Sequence, residues 1–177
     1  EVCFVLPTYN EEKNIRQTVE GIFSNQVLVP NSRFRVLVVD DNSSDGTQKE
    51  VTQLIAKYPD LHMITGDKKG LGDAYKRGLL YALSSFKPDF VFQMDSDGQH
   101  DPKLIPAFIE QINAGYSLVV GSRFVEGGST PDFSFRRKFI SRLGNLLVRY
   151  AGGVRHIRDC TSGYRCISSS HLEKCNL

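Results

Sequence analysis

Two aspartates one residue apart, Asp95 and Asp97, follow directly on the apolar run Val91-Phe92-Gln93-Met94. Burying carboxylates without compensation costs several kcal/mol or forces protonation, so a cation is expected beside them. Hard-oxygen chemistry of this kind suits Mg²⁺ or Mn²⁺, which take carboxylates, amide carbonyls and the phosphates of a substrate. Two further polar clusters also follow apolar runs: Pro7-Thr8-Tyr9-Asn10-Glu11-Glu12, and Val38-Val39-Asp40-Asp41-Asn42-Ser43-Ser44-Asp45-Gly46-Thr47. Their common placement is informative, because three strand ends can converge on one edge of a sheet.

The elements that must position these clusters alternate along the chain. Val2–Leu6, Phe34–Val39, Leu61–Thr65, Phe90–Met94 and Leu118–Val120 read as short buried strands. Helical stripes lie between them: Ile15/Val19/Ile22/Phe23, Val51/Leu54/Ile55/Tyr58, Leu104/Ile105/Phe108/Ile109/Ile112 and Phe139/Leu143/Leu146/Leu147/Tyr150. A fifth helix, 73–83, carries the small-residue stripe Ala74, Gly78, Ala82, which allows close packing on a sheet. Asn10 is expected to cap the first helix and Asp101-Pro102 to start another, with Pro106 restarting it. Gly127–Pro131 reads as a loop. Alternating β and α implies an α/β fold with a mainly parallel sheet covered by helices on both faces, which binds ligands at the carboxyl ends of its strands.

Several functions are excluded. An EF-hand with Gly46 at loop position six would place Thr52 where a bidentate Glu is required. In a phosphoacceptor receiver module the acidic pair follows the first strand, and a Lys-Pro follows the phosphoacceptor. Here a whole strand-helix unit precedes Asp40-Asp41, and Lys87-Pro88 precedes Asp95. Cys3, Cys160, Cys166 and Cys175 lack zinc-type spacing, and Cys3 reads as a buried apolar residue. No apolar stretch is long enough to span a membrane, and no basic leader precedes the first strand, so no signal peptide is expected. The 177 residues are expected to form one domain, ending where a longer protein would continue. The net charge of +2 is uneven: residues 121–177 hold 10 Lys/Arg against 4 Asp/Glu, an excess suited either to plain solvation or to phosphates and an anionic membrane.

Taken together, the stretches PTYNEEKNI (7–15), VVDDNSSDGT (38–47), KKGLGDAY (68–75), MDSDGQHDP (94–102), VVGSRF (119–124), RRKFISRLGN (136–145) and DCTSGYR (159–165) resemble the GT-A glycosyltransferases of family 2, especially the polyprenol-phosphate sugar transferases. They cover nearly the whole chain in the family's order. The resemblance implies a GT-A, Rossmann-like sheet. It implies that Pro7, Tyr9 and Glu11 line the base and ribose pocket, that Asp40 and the backbone around Val38 contact the nucleoside, and that Ser96 lies in the donor site. By the same resemblance, Asp95, Asp97 and Gln99 hold the divalent ion, Arg123 and Arg137 grip phosphate, and Asp159 and Arg165 stand beside the acceptor. Gly98 departs from the apolar residue of many mannose synthases.

The expected reaction moves mannose or glucose, with inversion, from a GDP- or UDP-sugar to a dolichyl or undecaprenyl phosphate. It would take place at the cytoplasmic face of the plasma membrane or endoplasmic reticulum, with no nucleic acid involved. A phosphate acceptor, mostly dianionic at neutral pH, needs positioning and charge compensation but no strong base. The alternative, transfer to a glycan hydroxyl, needs a base, and Asp159 is the candidate. A nucleotidyltransferase would instead show a Gly-rich phosphate loop after the first strand, and none is present. Plain structural roles also stand open: Asp95/Asp97 as a turn pair, Gln99 as a cap, Asp41 and Asp45 as turn residues, His100 as a hydrogen-bonder, and Lys68, Lys69, Arg136, Lys138 and Arg142 as solvated charges.

Overall fold

The computed structural model describes residues 1–125, 143–146, 148–153 and 157–175. Strands β1 (Val2–Thr8), β2 (Phe34–Asp40), β3 (Leu61–Thr65), β4 (Phe90–Gln93), β5 (Leu118–Val120) and β6 (Arg165–Ser168) form one sheet in the order β3-β2-β1-β4-β6-β5. β1 is parallel to both β2 and β4, and β2 is parallel to β3. Gly121 donates to Tyr164 O and Ser168 to Ser117 O; these pairs run in opposite chain directions, so β6 is antiparallel to β5. The sheet is therefore mixed and mostly parallel.

β1 lies between two strands and under helices, so all its residues are buried, which explains its unbroken apolar run. Phe4 stacks on Phe92 at 4.7 Å and meets Phe34 edge-on at 5.0 Å, tying the three central strands. The helices are α1 (Ile15–Asn25), α2 (Thr47–Lys57), α3 (Leu71–Tyr81, continued by a π turn over Ala82–Phe86) and α4 (Ile105–Asn113). α4 follows a 3₁₀ turn at Pro102–Leu104, whose Asp101 carboxylate accepts from Lys103 N. Pro106 stands in the first turn of α4, where its missing N–H costs nothing, so it restarts the helix as expected.

Two readings change. Asn10 does not cap α1: it has φ 58°, and α1 begins after Asn14. β6 is absent from the expected strands, because four residues beginning with Arg165 give too short an alternation to stand out. Of the fourth helical stripe, Phe139 and Leu147 lie outside the described residues, as does the Gly127–Pro131 loop; 143–146 and 148–151 are helical. The chain divides into two compact units, Glu1–Val119 with Cys166–Leu177, and Val120–Arg165.

The small-residue stripe of α3 faces the sheet. Ala74 and Ala82 are buried, and a Cβ on Gly78 would come within 2.4 Å of Val5 Cγ1 and 2.7 Å of Val39 Cγ2. Gly78→Ala is therefore expected to destabilise the protein by up to about 2 kcal/mol, since contacts this short put overpacking toward the upper end of about 1–3 kcal/mol, against the roughly 1 kcal/mol that Ala gains over Gly in a helix. Urea unfolding, with a lower midpoint and unchanged slope, would show it.

Candidate active site

In the sheet order, β2 and β3 continue to one side of β1 while β4 lies on the other. Ligands of open α/β sheets bind where the strand order reverses, outside the carboxyl ends. Here that point is the pair β1/β4, followed by Tyr9 to Glu12 and by Asp95 to His100.

Asp95 is half-buried and braced. Its Oδ1 accepts from Tyr75 Oη at 2.8 Å, and its backbone N–H donates to His100 Nδ1 at 2.9 Å. With Nδ1 accepting, the imidazole proton lies on Nε2, 3.7 Å from Asp95 Oδ2. His100 is thus a structural hydrogen-bonder. Asp97 and Gln99 are exposed on a tight turn, where Gln99 N donates to Asp97 Oδ1 at 2.9 Å and Gly98 takes φ 80°. Ser96, between the aspartates, faces inward: its Oγ donates to Pro7 O at 2.8 Å, tying the Asp-x-Asp turn to β1.

Among the described residues no three His, Cys, Asp or Glu side chains form a ready-made metal cage. The half-open Asp95, with Asp97 and Gln99 exposed on the turn that follows it, fits a different arrangement: an oxygen set completed by substrate phosphates, as Mg²⁺ and Mn²⁺ prefer.

The loops after β1 and β2 are laced together. Ser43 Oγ accepts from Asn10 N at 2.9 Å, Asn10 Oδ1 accepts from Ser44 N at 2.9 Å, and Thr47 Oγ1 accepts from Glu11 N at 2.8 Å. Asp45 accepts from Glu12 N and from Thr47, and Gly46 N donates to Glu12 Oε2. Hydrogen bonds from Thr47 outweigh desolvation and hold the Asp45 carboxyl below its ordinary range. Asp45 therefore holds the turn that leads into α2. Asp41 is buried and paired with Arg77, which also donates to Asp73 at 2.9 Å.

The expected nucleoside residues separate into two groups. Tyr9 is 39% exposed, with Lys68 Nζ 3.3 Å from its ring centroid, and Glu11 is half-buried beside it in sequence. Pro7, Val38 and Asp40 are enclosed. Val38 pairs with Leu6 on one side and Met63 on the other, within the sheet. Asp40 is fully buried, and its oxygens accept from Ser43 N, Ser43 Oγ and Gln48 Nε2 at 3.0, 2.5 and 2.6 Å. Through these hydrogen bonds Asp40 shapes the loop after β2.

Within the second unit, Asp159 is fully buried and receives a two-pronged clamp: Arg123 Nε donates to Oδ2 at 2.8 Å and Nη2 to Oδ1 at 2.9 Å. Thr161 Oγ1 donates to Oδ1 at 3.0 Å. Burial works against the Asp159 charge, but Arg123 and Thr161 outweigh it and hold the carboxyl below its ordinary value. The same hydrogen bond raises the Arg123 pKa. Arg165 is half-buried, and its Nε is buried without a hydrogen-bond partner among the described residues. Arg137 lies outside the described residues. Tyr75, Arg77 and Asn145, whose Oδ1 accepts from Cys160 N at 2.6 Å, escaped the sequence reading; only their presence in the stretches 68–75 and 136–145, or next to them, pointed that way.

The model of the Glycosyl transferase family 2 matches residues 3–175. The chain is 33% identical over 98% of its length to a dolichol-phosphate mannosyltransferase of Pyrococcus furiosus, and spans 47% of that relative. It is 36% identical over 99% of its length to an undecaprenyl-phosphate mannosyltransferase of Micrococcus luteus, and spans 70% of it. The chain thus spans about half of the first relative's length. A solved mannosyltransferase of Pyrobaculum calidifontis, in complex with GDP-Man and Mn²⁺, superposes with a TM-score of 0.63 at 20% identity, covering 98% of this chain and 46% of that one. The fold is accordingly the expected GT-A architecture.

The Asp159–Arg123 clamp carries a pH dependence. Because the folded carboxyl titrates below its ordinary value, its stabilisation is fully present above the ordinary carboxylate range and is lost as pH falls through the lowered value. Asp159→Asn is expected to cost about 1–3 kcal/mol near neutral pH, less than the ~3–5 kcal/mol of a wholly enclosed pair, because the Arg123 side chain is 29% exposed. Urea midpoints of the two proteins should converge as the solution is acidified.

Proposed function

The chain belongs to glycosyl transferase family 2, and from that membership we propose that it moves a hexose, with inversion, from a nucleotide sugar to a polyprenyl phosphate. Mannose from a GDP donor is the first choice and glucose from a UDP donor the second, since both relatives carry mannosyltransferase names and the solved neighbour holds GDP-Man.

The observation that carries the acceptor class is the state of Asp159. A sugar hydroxyl must lose a proton as it attacks, so a glycan acceptor needs a base with an open, proton-accepting oxygen. Asp159 is enclosed, clamped by Arg123 and shifted away from proton affinity. A phosphate monoester has its second pKa near about 6 and attacks as an anion already. It needs guanidinium forks, which match phosphate oxygens. Arg123, held in one orientation by Asp159, and Arg165, whose buried Nε would regain a partner on binding an oxygen, are suited to that work, with Arg137 a third candidate.

On the donor side, Tyr9 and Glu11 would meet the nucleoside on the platform made by the two laced loops, with Asp40 holding that platform's shape. Asp95, Asp97 and Gln99 would hold Mg²⁺ or Mn²⁺. A divalent ion bound there would offset the charge gathering on the departing diphosphate. Ser96 and Pro7 set the turn's position through their hydrogen bond. A polyprenyl acceptor implies work at a membrane surface, here the cytoplasmic face. The basic excess of residues 121–177 suits an anionic leaflet, and no helix among the described residues is long and apolar enough to cross a membrane.

Incubation with labelled GDP-mannose or UDP-glucose, dolichyl or undecaprenyl phosphate, and Mg²⁺ or Mn²⁺ should yield a lipid-linked sugar. Glycan extension without a lipid-linked product would overturn the acceptor assignment. Asp97→Asn is expected to abolish metal-dependent nucleotide binding in calorimetry; unchanged affinity would remove Asp97 from the metal site.

A further inference from the structure

We infer that Tyr75 is a positioning residue for the metal-binding carboxylate, dividing the two oxygens of Asp95 between the protein and the ion. The inference rests on the donor site proposed above. Tyr75 stands on α3, one residue after the buried Ala74 and three before Gly78, so the helix that carries it is fixed by its close approach to Val5 and Val39. Its ring packs against the core cluster that includes Cys3, Val5, Ala74 and Val91, and its hydroxyl emerges to donate to Asp95 Oδ1 at 2.8 Å. The backbone of Asp95 is pinned separately by its hydrogen bond to His100 Nδ1.

The two supports act on different parts of one residue. His100 fixes where the Asp95 backbone sits. Tyr75 fixes the rotation of the carboxyl group and takes up Oδ1. Oδ2, 3.7 Å from His100 Nε2 and beyond hydrogen-bond range, is the oxygen left for a cation. A metal-ligating carboxylate is ordinarily held by an outer hydrogen bond of this kind, and loss of such a partner typically weakens metal binding about 10–100-fold. A tyrosine is suited here because its ring is anchored in the apolar core while only the hydroxyl reaches the site.

The test uses Mn²⁺ as the probe. Free Mn²⁺ would be followed by electron paramagnetic resonance during titration of the protein with GDP or UDP, for the wild type, Tyr75→Phe and Tyr81→Phe. Tyr81→Phe removes a hydroxyl from the same helix at an exposed position. Tyr75→Phe should weaken Mn²⁺ binding at least about tenfold, leave metal-free nucleotide affinity unchanged, and leave the urea midpoint close to that of the wild type. Tyr81→Phe should match the wild type. Equal Mn²⁺ affinity in Tyr75→Phe and wild type would overturn the inference while leaving the functional reading intact. A parallel loss of metal-free nucleotide affinity would overturn it too, by showing a general loosening of the site. A wild type that binds no Mn²⁺ with either nucleotide would remove the donor site itself.

Discussion

A carboxylate at the end of a buried strand must be given partners, and this requirement organises the first unit. Asp40 closes β2, Asp41 follows it, and Asp95 follows β4. The helix α3 serves two of these ends. Arg77 reaches Asp41, Tyr75 reaches Asp95, and both depend on the helix lying close to β1 and β2. The absence of a Cβ at Gly78 makes that approach possible. A helix standing farther off would leave the Asp41 charge buried and unpaired, a loss larger than that of most single contacts. The small residues of α3 are thus electrostatic in consequence although they are steric in cause.

The carboxylates differ in what remains open after this compensation. Asp40 and Asp41 are nearly inaccessible and spend their oxygens on internal donors. Asp95 stays half-open with one oxygen tied, and Asp97 is exposed. Two roles are therefore built from one residue type by burial alone. The enclosed aspartates set the shape of the loop after β2, which the loop after β1 then grips through Asn10, Glu11 and Glu12. Asn10 and Asn42 both adopt positive φ in these loops, a conformation that asparagine tolerates better than most residues. The product is a stiff platform on which Tyr9 stands at the surface, with the Lys68 ammonium over its ring.

The strands and their order of appearance were readable from the sequence because buried parallel strands are continuous apolar runs. The convergence of three polar clusters was readable because clusters following such runs must share the sheet's carboxyl edge. What could not be read was the direction of each polar side chain. Asp40 and Asp97 look equivalent in sequence, yet one points into the loop and the other into solvent. That Ser96 ties its turn to Pro7 is likewise invisible in the sequence. Tyr75 and Arg77 lie beside the small-residue stripe, and helical spacing shows only which face they share, not that each ends at a different strand. β6 was hidden for another reason: its four residues gain their pairing from strands distant in sequence, which no local pattern records.

The clamp in the second unit bears most directly on chemistry. An aspartate with an open oxygen beside an acceptor hydroxyl would be a base. The same aspartate beside a phosphate would repel it. Enclosing Asp159 against Arg123 removes both outcomes: the pair holds in a fixed orientation a guanidinium that is cationic at all ordinary pH. The cost is that Arg123 spends part of its charge on Asp159. An acceptor with two negative charges therefore needs further cations, which the chain's composition supplies: residues 121–177 hold 10 Lys/Arg against 4 Asp/Glu. On the proposed reading, a phosphate acceptor accounts for the sequestering of Asp159, whereas the surplus of arginine also suits plain solvation.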